Sequence, residues 1–127
     1  MKQSSVLIQE NKEANPEYWI IDLFLHDTFE DLPTRSVLTT ERVRACFRSA
    51  QEKRKIGSIH IYSRSEELLE DIIHETIHAT IRLVIKSAED DSDPQQEEEL
   101  LCQHFEHILP QVLDFYGFEI KRKELSS

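Results

Sequence analysis

The residues best suited to chemistry in this chain are His74, Glu75 and His78, which form an H-E-x-x-H motif. Residues four apart on a helix share one face, so two imidazoles at this spacing can reach one zinc ion at about 2.0–2.1 Å. The intervening Glu75 projects beside such a metal, where it can take a proton from bound water. The motif sets a definite expectation: zinc-dependent hydrolysis of a peptide bond, with His74 and His78 as zinc ligands and Glu75 as general base.

A catalytic zinc needs a third protein ligand and an open position. The apolar stripe of the last helical segment runs through Leu101, Phe105, Ile108 and Val112. Three and four positions before Leu101 stand Glu98 and Glu97, on the same expected inward face. A carboxylate continuing a buried face is costly unless paired or metal-bound, which makes Glu98 the favoured third ligand. Glu97 and Glu99 are the neighbouring alternatives, and His104 would give a three-histidine site instead. His26 and His60 have no partner spacing and read as structural. Tyr62, Tyr116 or a histidine could stabilise a developing oxyanion, and nothing in the sequence selects among them.

The elements that must position these residues are legible in outline. The segment 66–85 has no Gly or Pro, and Leu69, Ile73, Ile77, Ile81 and Leu83–Val84 recur at helical spacing, so the motif falls on a helix beside that apolar stripe. Ser63 or Ser65 can cap it. Residues 18–25, aromatic and β-branched, read as a buried strand, with a helix as the alternative because the run is nearly apolar throughout; residues 6–8 read as an edge strand or a frayed start, and residues 57–62 as a strand of mixed burial. A helix is expected from Thr39 or Thr40, with Val43, Cys46, Phe47 and Ala50 as its apolar face. A very acidic loop spans 87–96. A last helix runs from about Gln95 to Tyr116, with Gly117 as its C-cap and Pro110 kinking or breaking it. The class is α+β: a small mixed sheet packed against the motif helix and a following helix that carries the third ligand.

Length and composition set the frame. The 127 residues make one domain, 1–127, with 118–127 a loose tail that includes Lys121–Lys123. The net charge of −10 opposes phosphate-backbone binding, so no nucleic-acid partner is expected. Arg42, Arg44, Arg48, Lys53, Arg54 and Lys55 read as the solvated face of one helix. With only two glycines there is no Gly-rich phosphate loop. Cys46 and Cys102 fit no zinc-finger spacing and read as free thiols. No apolar run reaches membrane-spanning length and no signal-peptide core stands at the N-terminus, so the expected location is cytoplasmic.

The order strand 57–61, charged linker, Ile72-Ile73-His74-Glu75-Thr76-Ile77-His78-Ala79 and a following Glu-Glu helix start resembles small gluzincin-type metallopeptidases, of the kind common in phages and mobile elements. SprT-like domains are a more distant likeness, favoured if His104 is the ligand. The recognisable part covers 57–113, and residues 1–56 match no pattern. The resemblance implies a minimal zincin-like domain, Zn²⁺ as cofactor, a polypeptide substrate, and a strand at 57–62 that pairs with extended substrate by backbone hydrogen bonds. The alternative is a regulatory protein that keeps a zinc site without turnover and binds a protein partner.

Overall fold

The structure, a computed structural model, describes residues 1–10, 17–32, 44–87 and 93–118. Its elements in chain order are β1 (Lys2–Glu10), β2 (Glu17–His26), a 3-10 turn (Phe29–Asp31), β3 (Ala45–Ser49), β4 (Lys55–Tyr62), α1 (Leu68–Ser87) and α2 (Pro94–Phe115). The protein is α+β. One mixed sheet has the order β1-β2-β4-β3, and both helices contribute to its core.

Alternation along the strands decides which face is covered. Val6, Ile8, Ile21, Leu23, Ile59 and Ile61 turn to one side and pack with Ile72, Ala79 and Leu83 of α1 and with Ile108, Val112 and Leu113 of α2. β1 and β2 pair antiparallel from Lys2↔Leu25 to Glu10↔Glu17, which accounts for the expected strands at both places. β2 and β4 pair in parallel, and β3 closes the sheet as an antiparallel edge on β4. α1 lies on β4 and β3, while α2 packs on α1 and reaches β1.

Two glycines are dictated by geometry. A Cβ at Gly57 would stand 2.2 Å from the Arg48 carbonyl oxygen and 2.6 Å from the Phe47 ring, so only glycine lets β3 lie this close to β4. Gly117 takes φ 89° directly after α2. There Phe118 donates its amide to the Leu113 carbonyl, closing a Schellman-type cap. At the other end of α2, Asp93 accepts the Gln96 amide at 2.9 Å, with Pro94 in the first turn.

Several expectations are corrected. The segment expected as a helix through Cys46, Phe47 and Ala50 is the strand β3, and its proposed start at Thr39 or Thr40, with Val43, lies outside the described residues. Pairing with β4 from Ala45↔Ile61 to Ser49↔Gly57 overrides the local helical spacing. The basic residues therefore do not share a helix: Arg48 is on β3, Lys55 begins β4, and Lys53 and Arg54 form the turn between. Arg42 lies outside the described residues. Pro110 sits inside α2 without ending it; the Glu106 carbonyl that loses its partner belongs to an exposed residue, where water can satisfy it.

The buried face of α1 is also rotated from the expected one. Ile72, Glu75, Thr76, Ala79, Thr80, Leu83 and Val84 are buried, whereas Leu69, Ile77 and Ile81 are exposed. The threonines can enter the core because Thr76 and Thr80 each donate a hydroxyl to the carbonyl four residues back, both at 2.7 Å. Positions 119–127 and 88–92, which hold nearly all of the expected tail and half of the expected acidic loop, lie outside the described residues, while Ser87 ends α1 and Pro94–Gln96 already belong to α2.

Candidate metal centre on the motif helix

His74 and His78 are both exposed on α1, and their Nε2 atoms converge to 3.0 Å with the rings edge to face. Two nitrogens of a tetrahedral zinc shell with bonds of 2.0–2.1 Å stand about 3.3 Å apart, so the pair is already close to chelating geometry. In neutral form one Nε2 carries the shared proton and the other accepts it. Zinc would take the place of that proton, since each ligand nitrogen must offer a lone pair.

Glu75 occupies the opposite environment. Its side chain is 9% exposed against 69% for His74, yet Oε1 lies 3.9 Å from His74 Nε2. The carboxylate thus reaches from the buried side of α1 toward the imidazole pair. Burial raises its pKa above the ordinary carboxylate value, against the opposing pull of His74, His78 and the backbone amide of Phe47. A carboxylate shifted upward by burial is a better proton acceptor than a solvated one.

The Phe47 amide ties this corner to the sheet edge. Tyr62 donates its amide to the Arg44 carbonyl, and Ala50 donates to Ile56, which fixes the even-numbered residues of this pair as those that bond across to β4. The backbone groups of Ala45, Phe47 and Ser49 therefore turn to the other side, toward the edge that Glu75 approaches. Other contacts hold α1 along β3. Arg44 bonds Asp71 at 3.0 Å and Glu67 at 2.6 Å, while Lys86 donates to the carbonyls of Ala50 and Lys55. Ser65, one of the two expected caps, accepts the Glu67 amide and donates to Asp71 just before and within the first turn.

The other expected site residues stand elsewhere. Glu98 and Glu99 are exposed on α2, and Glu97 is half-buried. Among the described residues no group of three His, Cys, Asp or Glu side chains converges as a metal site. The structure thus brings His74, Glu75 and His78 together and does not bring Glu98 to them; α2 reaches β1, at the end of the sheet farthest from β3. His104 lines a separate cleft of about 510 Å³ with Ile8, Trp19, Leu100 and His107, where burial lowers its pKa. Tyr116 is buried beneath the sheet and donates its hydroxyl to the Phe24 carbonyl, while Tyr62 meets Phe29 edge to face.

The strand expected to receive substrate is likewise corrected. β4 is bonded to β2 on one side and β3 on the other, so its backbone has no open edge. Among the described residues β3 pairs with β4 alone and is the strand beside Glu75 that keeps one side unpaired.

Sequence reading treated His26 and His60 singly, and the fold joins them on the sheet face away from the helices. His26 Nε2 and His60 Nδ1 are 2.9 Å apart, His60 Nε2 is 2.9 Å from the Ser58 hydroxyl, and Phe24 stacks on His60 at 4.7 Å. Burial, helped by His26 and Arg48, pushes the His60 pKa down to about 4. The alternation Ser58-x-His60 was visible in the sequence, but the pairing of its strand with β2 was not.

No family model, curated protein or solved structure matches the chain. No helix among the described residues is long and apolar enough to cross a membrane.

Proposed function

We propose that the protein is a zinc-dependent peptidase whose metal is held by His74 and His78. The observation that carries this reading is the convergence of the two Nε2 atoms at 3.0 Å with the Glu75 carboxylate 3.9 Å from one of them. Zinc held there would supply a Lewis acid that makes water a competent nucleophile near neutral pH. Glu75 would be the proton acceptor from the attacking water and the proton donor to the leaving amine, and burial suits its basicity to the task. The open side of β3 offers the backbone groups of Ala45 and Ser49 and the Phe47 carbonyl to an extended polypeptide, whose hydrogen bonds would hold the scissile bond beside Glu75. Glu98 is the proposed third ligand within the chain, and reaching the pair would require its helix start to move.

The test is metal content and cleavage measured on the same preparation. Wild-type protein with one equivalent of zinc should cleave an unstructured polypeptide. Glu75→Gln should bind zinc equally and cleave nothing. Retained cleavage by Glu75→Gln, or zinc binding unaffected by His74→Ala, would remove the assignment.

A further inference from the structure

α1 carries a second feature that peptide hydrolysis does not use. Counting about 100° per residue, His74, Ile77, His78, Ile81 and Ile85 centre on the side of the helix opposite its buried stripe. The isoleucines are 42%, 40% and 58% exposed. An aliphatic ridge of β-branched residues on the outermost face of a helix is uncommon in a chain that has a core to fill, and here the core takes Thr76 and Thr80 instead. The imidazole pair lies within the same ridge. It supplies two donors, while a tetrahedral zinc shell takes four, and the described residues supply no third.

We infer that zinc on His74 and His78 docks a second copy of this chain through the same face, with the two histidines of that copy filling the remaining positions. This rests on the reading that the pair holds zinc, and in the assembled form the second copy stands where Glu98 was expected. The coordination arithmetic selects the occupant: a two-fold axis through the metal turns two half-shells into one complete shell and buries both isoleucine ridges at once. Charge makes the association conditional. Two chains of net charge −10 repel, so the ridge alone is a weak contact and the shared cation supplies the bridge. A shell closed by four imidazoles has no place for water, so the dimer is a resting form, and the cleavage proposed above belongs to the separated chain with Glu98 as its third ligand.

The experiment is zinc titration of the full chain after chelator treatment, followed by native mass spectrometry and sedimentation velocity. The expected result is a monomer without metal and a dimer holding one zinc per two chains, reversed by chelator. His78→Ala should abolish the dimer, and Glu98→Gln should leave it intact. Ile81→Glu should weaken dimerisation by roughly tenfold or more, because a buried Ile contact becomes a buried charge; its exposed position lets circular dichroism verify an unchanged fold. One zinc on each monomer would overturn the second-copy inference and leave the zinc reading standing. A dimer indifferent to zinc and to His78→Ala would also overturn it. Failure to bind zinc at all would remove both.

Discussion

Acidification should loosen this fold before its carboxylates protonate, and the His26–His60 pair sets the window. His60 titrates at about 4 in the folded chain and near 6.5 when unfolded. Between those values the unfolded state binds a proton that the folded state refuses, so stability is complete above pH 6.5 and declines as the pH falls toward 4. Full conversion of that difference at about 1.4 kcal/mol per unit gives a ceiling of about 3.5 kcal/mol. His60 is only partly buried, and solvent screening cuts this to about 1–2 kcal/mol. His26, whose pKa burial also lowers, acts in the same direction. Its buried Nδ1 has no hydrogen-bond partner among the described residues, so a proton added there gains no compensating bond from them. The assay is urea unfolding followed by circular dichroism at steps from about pH 7 to about pH 4.5, beside His60→Gln. The wild-type midpoint should fall steadily across that range, and the variant should lose most of the slope. A flat wild-type profile, or an equal slope in the variant, would refute the reasoning.

Three further outcomes are expected. Gly57→Ala places a methyl group 2.2 Å from the Arg48 carbonyl, so the β3–β4 pairing must shift; thermal melting should show a loss of about 2–3 kcal/mol. Glu75→Gln removes a desolvated carboxyl whose raised pKa opposes folding above that pKa, so the melting temperature at neutral pH should rise by about 2–4 °C while cleavage is lost. Asp93→Ala removes the side chain that receives the Gln96 amide and should cost about 1 kcal/mol in denaturant unfolding, with the largest gain in amide exchange at the start of α2.

What the sequence disclosed and what it hid follow the range of the forces involved. β2, α1 and α2 were legible because their signals are local: a β-branched run, an uninterrupted helical stretch, and the Gly117 cap with Phe118 closing onto Leu113. β3 was hidden because Val43, Cys46, Phe47 and Ala50 fit a helical period, and only pairing with β4 makes a strand of the described part. The face of α1 was misjudged because hydrophobicity ranks isoleucine above threonine. The backbone carbonyls that accept the Thr76 and Thr80 hydroxyls reverse that ranking in place. The His74–Glu75–His78 cluster survives translation into structure since its geometry depends on one helix. A third donor depends on how two elements approach, which no spacing rule encodes. The same limit hid the His26–His60 contact, which exists only because β2 and β4 run side by side.

The parallel seam between β2 and β4 also divides the chain into two kinds of closure. β1 and β2 are consecutive and antiparallel, and β3, β4 and α1 follow one another with short connections, so each group can assemble through contacts near in sequence. Only the seam joins strands separated by an intervening element, and it must admit β4 between β2 and β3. Loop closure makes such a junction the slow step of assembly. Every residue of the candidate metal centre and its strand edge lies on one side of that junction, in a single continuous stretch of chain. On the zinc proposal, the histidine pair would be able to meet its metal while the sheet is still in two pieces, and metal present during synthesis would then act on folding order.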